Sequence, residues 1–336
     1  MATGTIMSFA VPGYSGMLYE KGNNKTPLLT SIINNMRYTN SVKFVLGQDY
    51  TEEDGAIPNI SEQASLVAPE PTYITRSQKY NVTQIYHESI AISDAKKSNM
   101  GTLSGVNIEG QYANPQTELD FQIARKMSKI RKSMEKAFIN GQFNEAEADN
   151  EVNKTRGLVQ AITTNTVSLT PSGSGATAKS LDIWAVEELM HKIAMSGGDV
   201  TRLTLFCDYT TRMQLVGNAV ELGVPLGQPY VTAYGIRVED LILESGVVTI
   251  MTGYELPAGT ALLLNMPAIH PVAQPVPGKG NFYLEELGKT GAGEKYQIFG
   301  QMGLDYGMEF LHGKFTGIAT TFTKPIGRKV VTVTEG

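Results

Sequence analysis
The most regular hydrophobic pattern in the chain runs through residues 117–141. Apolar side chains fall at Leu119, Ile123, Met127, Ile130, Met134 and Phe138. Spacings of three and four place all of them on one face of an α-helix. Arg125, Lys126, Lys129, Arg131, Lys132 and Lys136 fill the intervening positions, so the helix carries one apolar stripe and a basic remainder. Pro115 and Thr117 suit its start, with Glu118 and Asp120 complementing the positive end of the helix dipole. Asn140 and Gly141 read as its stop. At 1.5 Å per residue the helix spans about 35–40 Å.

The pattern elsewhere is shorter in range. Residues 1–40 read as an arm: glycine- and asparagine-rich at first, then Thr26-Pro27 as a helix start, with Leu28, Leu29, Ile32, Ile33 and Met36 giving a short apolar face. Residues 41–92 read as a long two-stranded ribbon. VKFVL opens one strand, and TYITRSQKYNVTQIYHESIAI is a β-rich return. Between them lies an insertion with no Lys or Arg from Phe44 to Thr75, carrying Asp49, Glu52, Glu53, Asp54, Glu62 and Glu70. A ribbon of this kind is marginal alone and needs a neighbour. Residues 93–116 are Ser/Gly/Asn-rich, with room for one short helix.

After Gly141 an acidic patch, NEAEADNE, leads into RGLVQAITTNTVSLT, which reads as a glycine turn and one or two strands. PSGSGATAKS (171–180) is the clearest linker signal, and a domain boundary is placed there. Residues 181–195 form an amphipathic helix, LTLFC (203–207) a buried strand, and Asp208 caps the helix that follows. VTAYGIRVEDLIL, VVTIMT and TALLLNM are short strands, completing a compact α/β unit. Residues 281–323 return to long strands around a glycine-rich hairpin at 288–293. Residues 324–336 read as a basic turn and a Val/Thr strand or tail.

Composition narrows the class. Of 336 residues, 41% are hydrophobic and 18% charged, which predicts a folded chain. The net charge of −5 argues against a general nucleic-acid binder while leaving room for a local basic face. Cys207 is the sole cysteine, so no intrachain disulfide forms and a reducing compartment is expected. No secretory signal and no run long enough to span a membrane are present.

Reaction chemistry is sparse. His87, His191, His270 and His312 are scattered without metal-ligand spacing, and one cysteine makes no zinc knuckle. Gly288-Lys289-Thr290 resembles the end of a phosphate loop, but Tyr283 stands where the pattern needs glycine, and a strand follows rather than a helix. No G-x-S-x-G is present. Neither catalytic residues, metal ligands nor cofactors are expected.

The order of arm, ribbon, long helix, β segment, linker, α/β unit and returning strands resembles a tailed-bacteriophage major capsid protein of the Hong Kong 97-type fold. The runs that carry the resemblance are FAVPGYSGMLYEKGNNKTPLLTSI, RKMSKIRKSMEKAFINGQ with RGLVQAI, YGIRVEDLIL with ELPAGTALLLNM, and LEELGKTGAGEKYQIFGQMGLDYGMEFLHGKFTGI. They match a subfamily with a short N-arm and no fused scaffolding segment. The resemblance implies an α+β chain divided into an N-arm (1–40), an extended β-hairpin loop (41–92), a peripheral domain (93–175) with the spine helix at 117–141, an axial domain (176–280) and returning peripheral strands with a tail (281–336). It implies self-assembly through hexamers and pentamers into an icosahedral virion capsid, in the host cytoplasm. A portal, separate scaffolding and decoration proteins, and double-stranded DNA on the inner surface are the implied partners; no membrane is. The family's type member joins loop to neighbour through a lysine, and residues 44–75 hold none, so that crosslink is not expected here.

In the resembling fold the loop lies over a neighbouring subunit. The six loop acids and the six helix bases are therefore expected to pair between subunits, setting register more than affinity. Contact of the same bases with packaged DNA is a rival use. Other readings are an encapsulin-type compartment of the same fold, a tail or decoration protein, or a cytoplasmic hydrolase using Cys207 or a histidine.

Overall fold
The computed structural model describes residues 25–50, 57, 59–68, 73–94, 118–170, 178–224, 226–232, 236–289 and 291–321. Most of the expected arm, the loop residues Glu52, Glu53, Asp54 and Glu70, the stretch preceding the long helix with Pro115 and Thr117, most of the 171–180 linker and the 324–336 tail lie outside the described residues.

The long helix, α2, occupies Glu118–Asn140; a short helix, α1 (Pro27–Ile32), comes before it. The apolar stripe of α2 is buried at Ile130, Met134 and Phe138 and partly buried at Leu119, Ile123 and Met127. It packs on a five-stranded sheet. The spine of that sheet is β13 (Gly293–Asp305), which pairs along one edge with β4 (Gln84–Ser93) and along the other with β12 (Phe282–Leu287) and then β11 (His270–Ala273). Strand β1 (Arg37–Tyr38) adds in parallel to β11. Tyr86, Ile90 and Ile92 alternate along β4 toward the helix, as the period of a half-buried strand requires.

The ribbon is β2 (Lys43–Tyr50) against β3 (Arg76–Val82), antiparallel with a bulge between Val45 and Gly47. The hairpin at the glycine-rich turn joins β12 to β13, so Gly288-Lys289 sits in a turn between strands.

A second sheet orders seven strands as β5 (Thr166–Ser168), β14 (Gly313–Thr316), β10 (Ala261–Leu264), β6 (Arg202–Cys207), β9 (Val247–Thr252), β8 (Arg237–Ile242) and β7 (Tyr230–Val231). Its alternating side chains serve two cores. Leu203, Leu205, Cys207, Leu263 and Phe315 meet α4 (Ile183–Met195) and α5 (Tyr209–Leu222) on one face, while Phe206, Leu262, Leu264 and Met251 join the cluster under α2 on the other. Asp182 and Asp208 cap the two helices, accepting from Ala185 N–H and Thr211 N–H at 2.8 Å each.

Three features differ from the sequence expectation. Residues after Gly157 form a short helix, α3 (Leu158–Ala161), before β5, because Leu158, Ala161 and Ile162 bury one side of a helical turn. Sheet membership also crosses the expected segments. β5 and β14 join the seven-stranded sheet, and β11 joins the five-stranded one; after β13 a turn at Gly307 (φ 62°) carries the chain from one sheet to the other. Finally, Gly141 ends α2 for steric reasons and not through a left-handed cap. Gly157 N–H donates to Gly141 C=O at 2.9 Å, and a Cβ on either glycine would collide with backbone of the other segment.

Gly157→Ala is therefore expected to cost about 1–3 kcal/mol of stability through overpacking. Gly288→Ala meets nothing within 4 Å and is expected to stay within about 0.5 kcal/mol of wild type. Thermal melts of the two variants side by side check this.

Candidate subunit interface
The ribbon is rooted firmly and exposed distally. At its root Phe44, Asn81 and Val82 are buried. The Asn81 amide donates to Leu304 C=O at 2.7 Å and accepts from Arg156 N–H at 2.8 Å, tying β3 to β13 and to the segment before α3. The Lys43 ammonium bonds Glu145 at 3.0 Å and lies 3.6 Å from the Tyr80 ring centre. Toward the tip large apolar side chains face solvent: Ile57 is 92% exposed, Leu66 83% and Tyr73 83%, with Ile60 and Val67 also exposed. Such a concentration of uncovered apolar surface marks a contact region. Of the predicted loop acids, Asp49 lies 3.9 Å from Lys79 of the facing strand and Glu62 is exposed. Sequence reasoning singled out the acids and passed over the isoleucines and leucine beside them, although both are visible in the same stretch.

On α2, Arg125, Lys129, Lys132 and Lys136 follow one another at helical spacing on the side away from the core. Lys126, Lys129 and Lys132 meet carboxylates of their own chain. Lys126 bonds Glu88 at 2.8 Å, Lys129 also pairs with Glu88, and Lys132 lies 3.6 Å from Glu255. Arg131 donates to Thr30 Oγ1 at 3.4 Å, and Lys136 is exposed. Of the two described loop acids, Asp49 faces Lys79 within the ribbon and Glu62 is exposed. Glu88 and Glu255 are the residues the sequence reading missed. Burial alone would raise the Glu88 carboxyl, but hydrogen bonds and charge from Lys126 and Lys129 outweigh it and hold the group below its ordinary value.

The sheet face opposite α2 is open among the described residues. Along it His87 packs edge-on to Phe299 with ring centres 6.1 Å apart, and Tyr283 lies 5.8 Å from Phe299. Lys279 sits 4.9 Å from the Tyr283 ring and bonds Glu285 at 2.7 Å.

Two of the groups a hydrolase could use, Cys207 and His312, are buried. Cys207 is fully buried, and burial pushes its thiol up to about 12. His312 is buried, with Nδ1 accepting from Asn265 N–H at 3.1 Å and Nε2 bonded to Tyr306 C=O at 2.7 Å. Burial pushes it down to about 4, so it is neutral at pH 7. Among the described residues no three His, Cys, Asp or Glu side chains gather as a metal site, and no helix is long and apolar enough to cross a membrane.

The described residues thus form a helix-backed sheet, a rooted ribbon with exposed apolar side chains toward its tip and a second sheet sharing the core. The family model of the SU10 major capsid protein matches residues 1–319. The chain belongs to that family. Solved structures agree on the fold. The capsid of cyanophage A-1(L) superposes with a TM-score of 0.63 at 11% identity, covering 91% of this chain and 96% of that one. The capsid of a native GTA particle gives 0.55 at 12% identity over 95% and 99%. An encapsulin complex from Synechococcus elongatus gives 0.56 at 11% identity over 91% and 93%. No curated protein matches the sequence. The fold is of the Hong Kong 97 type, shared by phage capsids and encapsulins, and the family match separates them. The chain is a bacteriophage major capsid protein, a structural protein of the virion shell.

In this capsid protein Glu88→Gln is expected to cost about 1 kcal/mol at pH 7, the scale of a partly exposed pair. The depressed Glu88 value means its contribution is present above the ordinary carboxylate range and is lost as pH falls through the folded value. The gap between wild type and variant in thermal midpoint should therefore shrink on acidification from pH 7 to below pH 4.

Proposed function
We propose that this subunit closes, through hexamers and pentamers, into an icosahedral shell around double-stranded DNA. Assembly takes place in the host cytoplasm with a portal and with a separate scaffolding protein or none, and the subunit has no catalytic role. The family match over residues 1–319 carries this reading. Residues 1–40 serve as N-arm, 41–92 as extended loop, 93–175 as peripheral domain with the spine helix, 176–280 as axial domain and 281–336 as return, with β5, β14 and β11 exchanged between sheets as described. Negative-stain microscopy of the purified protein should show closed shells or rings of five and six subunits. A persistent monomer under all assembly conditions would overturn the proposal.

The ribbon acids Asp49, Glu52, Glu53, Asp54, Glu62 and Glu70 would face a neighbour's basic helix surface of Arg125, Lys126, Lys129, Arg131, Lys132 and Lys136. Exposed pairs are each worth about 0–1 kcal/mol, so their collective role is register. The open aromatic face supports a second landing site, because the ribbon tip is apolar as well as acidic. Two variants separate the landings. Lys136→Glu is expected to hinder closed shells at physiological salt while leaving the fold intact; normal shells would remove the helix landing. Loss of shells with Phe299→Ser alone would move the contact to the sheet.

A further inference from the structure
Helix α1 has six residues, too few to be stable in water without tertiary support. Two things seat it on α2. Leu28, Leu29 and Ile32 are buried in the cluster with Ile130, Met134 and Phe138. Its first free amides then converge on one side chain: Leu28 N–H donates to Glu135 Oε1 at 3.1 Å and Leu29 N–H to Oε2 at 2.7 Å. Glu135 is 1% exposed. Beside α1 lies a half-open pocket of about 210 Å³ lined by Leu29, Ile33, Met36, Met127, Arg131 and Met134 among others.

We propose that Glu135 is a pH-sensitive latch on the arm: α1 stays seated on the spine helix while this carboxyl is protonated and is loosened when it ionises. The protonated group still accepts one amide hydrogen bond and, being neutral, costs less to bury than the ion. The ionised group accepts both amides but is cut off from water, which reaches it only if α1 lifts away. The charged groups nearby are few. From α2 come Arg131, whose guanidinium also reaches Thr30, and Lys132, which is turned to Glu255. Glu255 comes from the connection between β9 and β10 and carries like charge. Helix α1 itself holds no titratable side chain, and Lys25 precedes it. Phe282 and Met302, from the sheet, are neutral.

Burial is the largest influence on Glu135. It raises the group to about 7 against the lowering effect of the two amides and Arg131, with Glu255 pushing upward. Because the seated value lies above the ordinary 4.5, seating is strongest below pH 4.5 and weakens as pH rises through 7. Between pH 5 and pH 8 the opening equilibrium of α1 should rise roughly 70-fold.

Hydrogen exchange of the full chain tests this, with rates corrected for their intrinsic pH dependence. Protection of amides 28–32 is expected to fall by well over tenfold from pH 5 to pH 8, while amides 183–195 of α4 hold theirs. Glu135→Gln is expected to remove the pH dependence at 28–32. Equal protection at the two pH values in wild type overturns the latch, whether or not the variant folds. So does a wild-type-sized fall in Glu135→Gln, or a parallel fall in α4, which would mark a global loss of stability. The readout concerns one subunit and is independent of whether shells form.

Discussion
A single helix must bury one stripe and expose another, and the structure is arranged around that demand. The apolar side of α2 lies over β4 and β13 and takes α1 and α3 against its C-terminal half. The opposite side sets cations four residues apart, Arg125 above Lys129 and Lys132 above Lys136, which weakens a helix. Glu88 from β4 and Glu255 from the second sheet's connection relieve part of this repulsion. Each also fastens the helix to a different sheet, so charge neutralisation and positioning are one act.

Strand β13 performs the corresponding task among the strands. Its thirteen residues hold β4 on one edge and β12 and β11 in succession on the other. The chain then turns at Gly307 and inserts β14 between β5 and β10. The segment that completes one sheet thus completes the other, and the second sheet already shares its inner face with the helix-backed core. Residues 293–316 couple the two halves of the subunit.

Local signals were legible in the sequence. The stripe from Leu119 to Phe138 marked α2, Asp208 marked the start of α5, and the glycine-rich turn after Leu287 marked the last hairpin. Long-range choices were not. Nothing in TVS at 166–168 states that it pairs with β14 and not with the strands under α2, since either sheet offers an edge to a short polar strand. The segment after Gly157 contains apolar residues compatible with both periods, and the close approach of Gly141 decided for a helical turn. Of the candidate interface, the charges could be counted. Their partial cancellation by Glu88 and Glu255 could not, because both acids arrive from distant positions in the chain. Glu135 stood among the bases of the helix with no sign of burial, and its burial depended on where α1 came to rest.

The lone cysteine has a consequence for the life of a particle. A virion leaves a reducing cell for an oxidising medium, where accessible thiols join into disulfides or climb toward sulfinic acid. Cys207 closes β6 in the core between the second sheet and its helices, wholly shielded and held as the unreactive thiol. With no other cysteine in the chain, the change of medium offers no exposed thiol through which two subunits could be joined by a disulfide.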